Sequence, residues 1–248
     1  DNILLLAFLP FELYLYNIYG QVNHGTSIVV IKTPTEIIIG ADTRQSHGLD
    51  FLNPRFVPKI FRFGNTFFLC AGISDVEGSD FSVIKIAKAA CTLGNIISQQ
   101  VKLFQDSIRE PFLEHYRYMR SIQPEILPYL SVNIAFCGIE NDVPLLYYRT
   151  LKVIRTRGGG DSVVCDEPDS TTLDSGATYC LLGIHDHIER VFFEYVRQLG
   201  LVGAIKRLIA LEAVMHPHLV GGGLDLIAIN KFRVAWLAKS SYYVHKEY

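Results

Sequence analysis

The stretch Gly25-Thr26-Ser27-Ile28-Val29-Val30-Ile31, followed by Ile39-Gly40-Ala41-Asp42-Thr43-Arg44, decides how this chain is read. Ser27 to Lys32 and Glu36 to Ala41 are β-branched runs separated by Thr33-Pro34-Thr35, a turn signal, so the segment predicts a hairpin. Thr26 heads the first strand, and Asp42 follows the second, sixteen residues later. A threonine hydroxyl is a poor nucleophile until a base sits beside it. The nearest base a chain can supply is the threonine's own α-amine, released when the preceding peptide bond is cut. Gly25-Thr26 is therefore a candidate processing junction, against the plainer reading of Thr26 as a β-branched residue starting a strand.

Working outward, Lys59 to Phe63 and Thr66 to Ala71 predict a second hairpin around Gly64-Asn65. The period then changes. Ser74 and Glu77 have capping-box spacing, and Val83, Ile84, Ala87, Ala90, Cys91 and Gly94 recur at helical intervals. A second helix is expected from about Ile96 to about Met119, bent near Pro111. Strands follow at Ser131 to Ile139 and Leu145 to Thr156, then a loop holding Gly158-Gly159-Gly160 and Pro168. Helices resume at His187 to Gln198, with Asp186 and Glu189 at cap spacing, and at Val202 to Met215, before closing strands at Leu224 to Asn230 and Arg233 to Leu237. This alternation predicts an α+β fold, a four-layer αββα sandwich of two stacked antiparallel sheets flanked by helices.

Composition sets the outer bounds. The 248 residues suit one large layered domain, taken as residues 26–240, with an apolar leader at 1–25 and a short tail at 241–248. Charged residues make up 19%, below the usual ~25%, and hydrophobic residues 49%. The net charge of -2 and scattered Lys and Arg give no basic footprint, so nucleic acid is not an expected partner. The leader is interrupted by Pro10 and Glu12 and is too broken for a stable membrane span. It reads as the apolar part of a secretory signal, which places the protein outside the cytoplasm, or as a propeptide, which leaves it in the cytoplasm. Cys70, Cys91, Cys137, Cys165 and Cys180 lack any C-x-x-C pattern and read mostly as small core residues, one or more disulfide pairs staying open. His185-x-His187 and His216-x-His218 have no third ligand at informative spacing, so they read as surface or cap histidines and no metal is expected. The triple glycines lack the Gly-Lys-Ser/Thr ending of a phosphate loop.

A Gly-Thr dipeptide by itself carries little weight, since about one is expected by chance at ~7% glycine. Ordered agreement across several segments carries more. Over most of Gly25 to Leu237 the chain resembles the proteasome β-type branch of the N-terminal-nucleophile hydrolases. Gly25-Thr26-Ser27-Ile28-Val29 is similar to the family's processing junction, and Ile39-Gly40-Ala41-Asp42-Thr43-Arg44 to the end of its second strand. Lys59-Ile60 is similar to its lysine-containing strand start and Cys70-Ala71-Gly72 to its glycine turn beside the substrate. Asp174-Ser175-Gly176-Ala177 resembles its Gly-Ser-Gly stretch, and Gly221-Gly222-Gly223-Leu224-Asp225-Leu226 its late glycine-rich segment.

The resemblance implies an autoprocessed threonine peptidase acting on peptide or protein through an acyl-enzyme, without metal or cofactor, in a ring or homo-oligomer. It implies Thr26 as nucleophile, Lys59 as the buried cation beside it, Asp42 as the partner of Lys59, and Ser175 at the freed amine. Gly72 is implied as an oxyanion donor and Cys70 as part of the specificity pocket, giving a medium, uncharged pocket. The role of Arg44 stays open between catalysis and structure. Where the family has an aspartate and, three residues on, a serine, this chain has Pro217 and Val220. That departure keeps a non-catalytic structural subunit as an alternative, and a small-amide hydrolase on the same fold is a third, since related folds host different amide substrates.

Overall fold

A computed structural model describes residues 26–45, 55–72, 81–122, 124, 127, 130–166, 171–172 and 176–241. The leader with Gly25, the Ser74 and Glu77 pair, Pro168, Ser175 and residues 242–248 lie outside the described residues.

The strands are β1 (Ser27–Lys32), β2 (Glu36–Asp42), β3 (Arg44–Gln45), β4 (Arg55–Phe56), β5 (Ile60–Phe63), β6 (Thr66–Gly72) and β7 (Ser131–Glu140). They continue with β8 (Val143–Arg155), β9 (Asp161–Asp166), β10 (Thr171–Thr172), β11 (Thr178–Gly183), β12 (Leu224–Asn230) and β13 (Val234–Ala238). The helices among the described residues are α1 (Val83–Leu93), α2 (Ile97–Ile122) and α3 (Ile188–Met215). One six-stranded sheet runs β10-β11-β1-β2-β12-β13, and a five-stranded sheet runs β5-β6-β7-β8-β9. The pairings in both sheets are antiparallel.

Why β1 and β2 are apolar without interruption follows from their two covered faces. Side chains alternate across a strand, so a run buried on both sides shows no polar alternation. Ile28 and Val30 pack with Phe67, Leu69, Ala135 and Cys137 of the five-stranded sheet, while Val29 and Ile31 pack with Phe192, Ile205 and Leu208 of α3. β6 divides in the same way. Its Phe67 and Leu69 join β1 and β2, and its Phe68 joins Phe104 and Phe112 of α2 and Val83 and Ala87 of α1.

Several predicted boundaries are corrected. The described helix α1 begins at Val83 with Ser82 as its N-cap, the Ser82 hydroxyl accepting the Lys85 N–H at 3.2 Å. The region read as a loop after Gly160 contains β9, which pairs with β8 from Thr150 to Arg155. β9 is half-buried or exposed apart from Val163, so its pattern is weak in the sequence. The two expected late helices are present as the halves of α3 on either side of Gly200, whose φ of 66° and ψ of 176° are non-helical. Its N-cap is His187 without a side-chain cap bond, in place of the expected Asp186 and Glu189 cap. All five cysteines are free thiols. No helix among the described residues is long and apolar enough to cross a membrane.

Phe68 is fully buried, with ring centroids 5.8 Å from Phe104 and 4.9 Å from Phe136. Phe68→Ala is expected to destabilise the fold by about 3–5 kcal/mol, because both transfer energy and the cavity left behind count. Urea denaturation checks this, a loss below about 1 kcal/mol showing that the aromatic cluster is not central.

Candidate active site

Asp42 ends β2 completely buried, where an isolated carboxylate would be unstable. Four donors surround it. Lys59 Nζ lies 2.7 Å from Oδ1, and the Ser27 N–H donates to the same oxygen at 2.8 Å. The Gly221 and Arg44 N–H groups donate to Oδ2 at 3.0 and 3.2 Å. Lys59 is itself buried, at 5% exposure. Burial pushes the Asp42 carboxyl up and the Lys59 ammonium down from their ordinary values, and the attraction between them opposes both shifts. The contacts to one charged and three backbone donors make the ion pair the better description of this site.

Thr26 sits one residue from that cluster, 5% exposed, at the head of β1. Its carbonyl accepts the Ile184 N–H at 2.8 Å, which fastens the chain just after β11 to the nucleophile candidate. Gly183 makes this approach possible. With φ of +82°, it has no room for a side chain: an added Cβ would stand 2.0 Å from the Thr26 carbonyl oxygen. Sequence reasoning missed this residue, for which the available signal was a glycine closing an apolar strand, Tyr179-Cys180-Leu181-Leu182-Gly183.

Gly72 ends β6 with φ of +96°, and an added Cβ would lie 2.3 Å from the Ser131 carbonyl oxygen. Close backbone packing thus accounts for glycine there. Cys70, two residues earlier, is buried beside Phe81 and Ile134 on the helix-facing side of β6, and its thiol also bears electrostatically on Lys59. Arg44 reaches away from Asp42, its Nη1 donating to the Pro217 carbonyl at 2.5 Å. The late glycines close the same region. Gly221 accepts from the Thr43 and Arg44 N–H groups at 3.2 and 3.0 Å, and the Gly223 N–H donates to the Thr43 hydroxyl at 2.8 Å. The structure therefore brings Thr26, Asp42, Lys59 and the Gly221 turn together around one carboxylate, while Arg44 braces the turn. Val220, at the departure from the family pattern, is buried and donates its N–H to the His216 carbonyl at 2.9 Å.

A cleft of about 600 Å³ lies elsewhere, between the turns at Asn65, Asn141 and Phe232. These turns cap the strand ends opposite Asp42 and Gly72, so the cleft is separate from the buried pair. The donor set for a metal is also elsewhere: His187, Glu212 and His216 converge at the two ends of α3.

The fold is proteasome-like. The chain superposes on Anbu, a Gly-1 mutant from Hyphomicrobium sp. strain MC1, with a TM-score of 0.54 and 18% identity over 88% of each chain. No family profile and no curated protein matches the sequence.

Removing Lys59 leaves the Asp42 charge buried without its cation. Lys59→Met is expected to cost about 3–5 kcal/mol, with the Asp42→Asn/Lys59→Met double variant losing less than the two singles together. A double-mutant cycle by urea denaturation reads this directly; strict additivity would mean the pair is not coupled.

Proposed function

We propose that this protein is an autoprocessed N-terminal threonine hydrolase that cleaves peptide bonds through an acyl-enzyme, on a four-layer αββα sandwich spanning residues 26–240. The packing of α1 and α2 on one sheet, of α3 on the other, and a shared apolar cluster between the sheets support this layer order. The observation that carries the functional reading is the buried Asp42–Lys59 pair, hydrogen-bonded to the residue after Thr26.

In maturation the Thr26 hydroxyl oxygen attacks the Gly25 carbonyl carbon, the Gly25–Thr26 C–N bond breaks, and the acyl group passes to oxygen as an ester. Water hydrolyses that ester and leaves Gly25 as a carboxylate and Thr26 with a free α-amine. The amine, with an intrinsic pKa of about 7.7–8.0, takes the hydroxyl proton as the oxygen attacks a substrate carbonyl. Lys59 disfavours protonation of its neighbours and stabilises negative charge on oxygen. The Gly72 N–H serves as the oxyanion donor, Ser175 contacts the amine, and Cys70 shapes the specificity pocket. The amine returns the proton to the leaving nitrogen, and water releases the acyl group. Neither metal nor cofactor enters these steps. As with the proteasome-like fold generally, ring or homo-oligomeric assembly is the arrangement we assign.

A second reading, a non-catalytic subunit, is favoured by one observation. Val220 buries an apolar side chain where the resemblance implies a hydroxyl, and Pro217 offers no N–H.

Intact mass and N-terminal sequencing separate the two. A mature chain starting at Thr26 and hydrolysis of fluorogenic peptides are expected, both abolished in Thr26→Ala. Retention of residues 1–25 with no turnover establishes the structural reading, and turnover of small acyl amides alone establishes the amidase.

A further inference from the structure

We propose that His187, Glu212 and His216 form a binding site for a zinc-class divalent transition metal at the open end of the α3 hairpin. Glu212 is fully buried on the second half of α3. Its Oε1 accepts the N–H groups of His187 and Ile188 at 2.9 and 3.0 Å, so it caps the first turn from across the hairpin. Its other oxygen has no hydrogen bond. Oε2 lies 3.4 Å from His187 Nδ1 and 3.6 Å from His216 Nε2, and those two nitrogens are likewise buried without a hydrogen-bond partner.

Three buried polar atoms without partners, all within 4.8 Å of one another, call for one shared partner, since each left unpaired costs about 1–3 kcal/mol. Two imidazole nitrogens and a carboxylate oxygen are the donor set of a zinc-class ion. Ligand atoms at about 2.0–2.2 Å from a tetrahedral ion stand roughly 3.3–3.6 Å apart. The spacing from Oε2 to each nitrogen matches that separation. Glu212 and His216 are four residues apart, so they project from one side of the helix, and the reversal at Gly200 brings His187 to them. A helix N-terminus repels a cation, but the Glu212 charge held there offsets that field. Both imidazoles are about one-third exposed, at 31% and 28%, which gives an ion access and leaves a fourth position for water.

The site also reaches the Asp42 region through the backbone. The His216 carbonyl accepts from Leu219 and Val220 at 3.0 and 2.9 Å, and the next carbonyl, that of Pro217, holds Arg44. A bound metal would brace the turn that delivers the Gly221 N–H to Asp42. The inference is independent of the hydrolase reading, because its test reads metal binding.

The full chain, stripped with a chelator, is titrated with Zn²⁺ by calorimetry and with Co²⁺ by visible absorption. One saturable equivalent per chain is expected, with a d–d spectrum of N/O ligation and no thiolate charge-transfer band. His187→Gln and His216→Gln should each weaken binding by about 100-fold or more, given that loss of even an outer partner costs ~10–100-fold. Glu212 is kept because it caps α3, and circular dichroism identifies folded variants. Thr26→Ala should bind metal like the parent, whatever its hydrolytic fate. Absence of saturable binding, a thiolate band from the cysteines, or equal affinity in a folded His187→Gln/His216→Gln double variant would each overturn the site.

Discussion

A carboxylate that is wholly removed from water must be surrounded by donors, and in this protein that requirement falls on Asp42. Its donors come from distant parts of the chain: Ser27 at the start of β1, Lys59 before β5, and Gly221 before β12. Satisfying one side chain thus fixes where three segments meet. The apolar strands alone would not set that meeting point, because hydrophobic contact is non-directional whereas a buried ion pair with backbone donors has a narrow geometry.

Thr26 inherits its position from this constraint. The Ser27 N–H is committed to the Asp42 side chain and the Thr26 carbonyl to the Ile184 N–H, so the peptide that follows Thr26 is held at both of its polar groups. Gly183 and Gly72 allow neighbouring chains to approach closely without Cβ atoms in the way. The turn from His216 to Gly223 closes the region. Glu212 obeys the same physical rule at the far end of that turn, with one oxygen satisfied by helix N–H groups and the other facing two imidazoles. Two buried carboxylates, joined by one short turn, therefore organise the end of the molecule that carries Thr26.

Much of this was legible in one dimension. The first two hairpins stood out because strands covered on both faces are apolar throughout and their turns carry Pro34 and Gly64-Asn65. α1 and α2 stood out by their period. β9 did not, because its residues are mostly half-buried and lack clean alternation. The Ser82 cap of α1 was not singled out, because a lone serine without a Glu or Gln three residues on lacks the capping-box pattern. The start of α3 was misread for a different reason. Its cap comes from Glu212, 24 residues beyond Ile188, and no local motif can announce a cap from that distance.

What the sequence by itself determined is the succession of strands and helices and the pairing of residue types, Thr26, Asp42 and Lys59, with a chemistry that needs them. Those properties are local: side-chain period, turn chemistry and the intrinsic reactivity of a hydroxyl and an ammonium. Only the tertiary structure decided that Asp42 is fully desolvated, that Gly183 must pass beneath Thr26, and that His187 and His216 share Glu212. Desolvation and convergence depend on which surfaces the packed sheets and helices close against each other, and residues far apart in the chain carry no record of that until it folds.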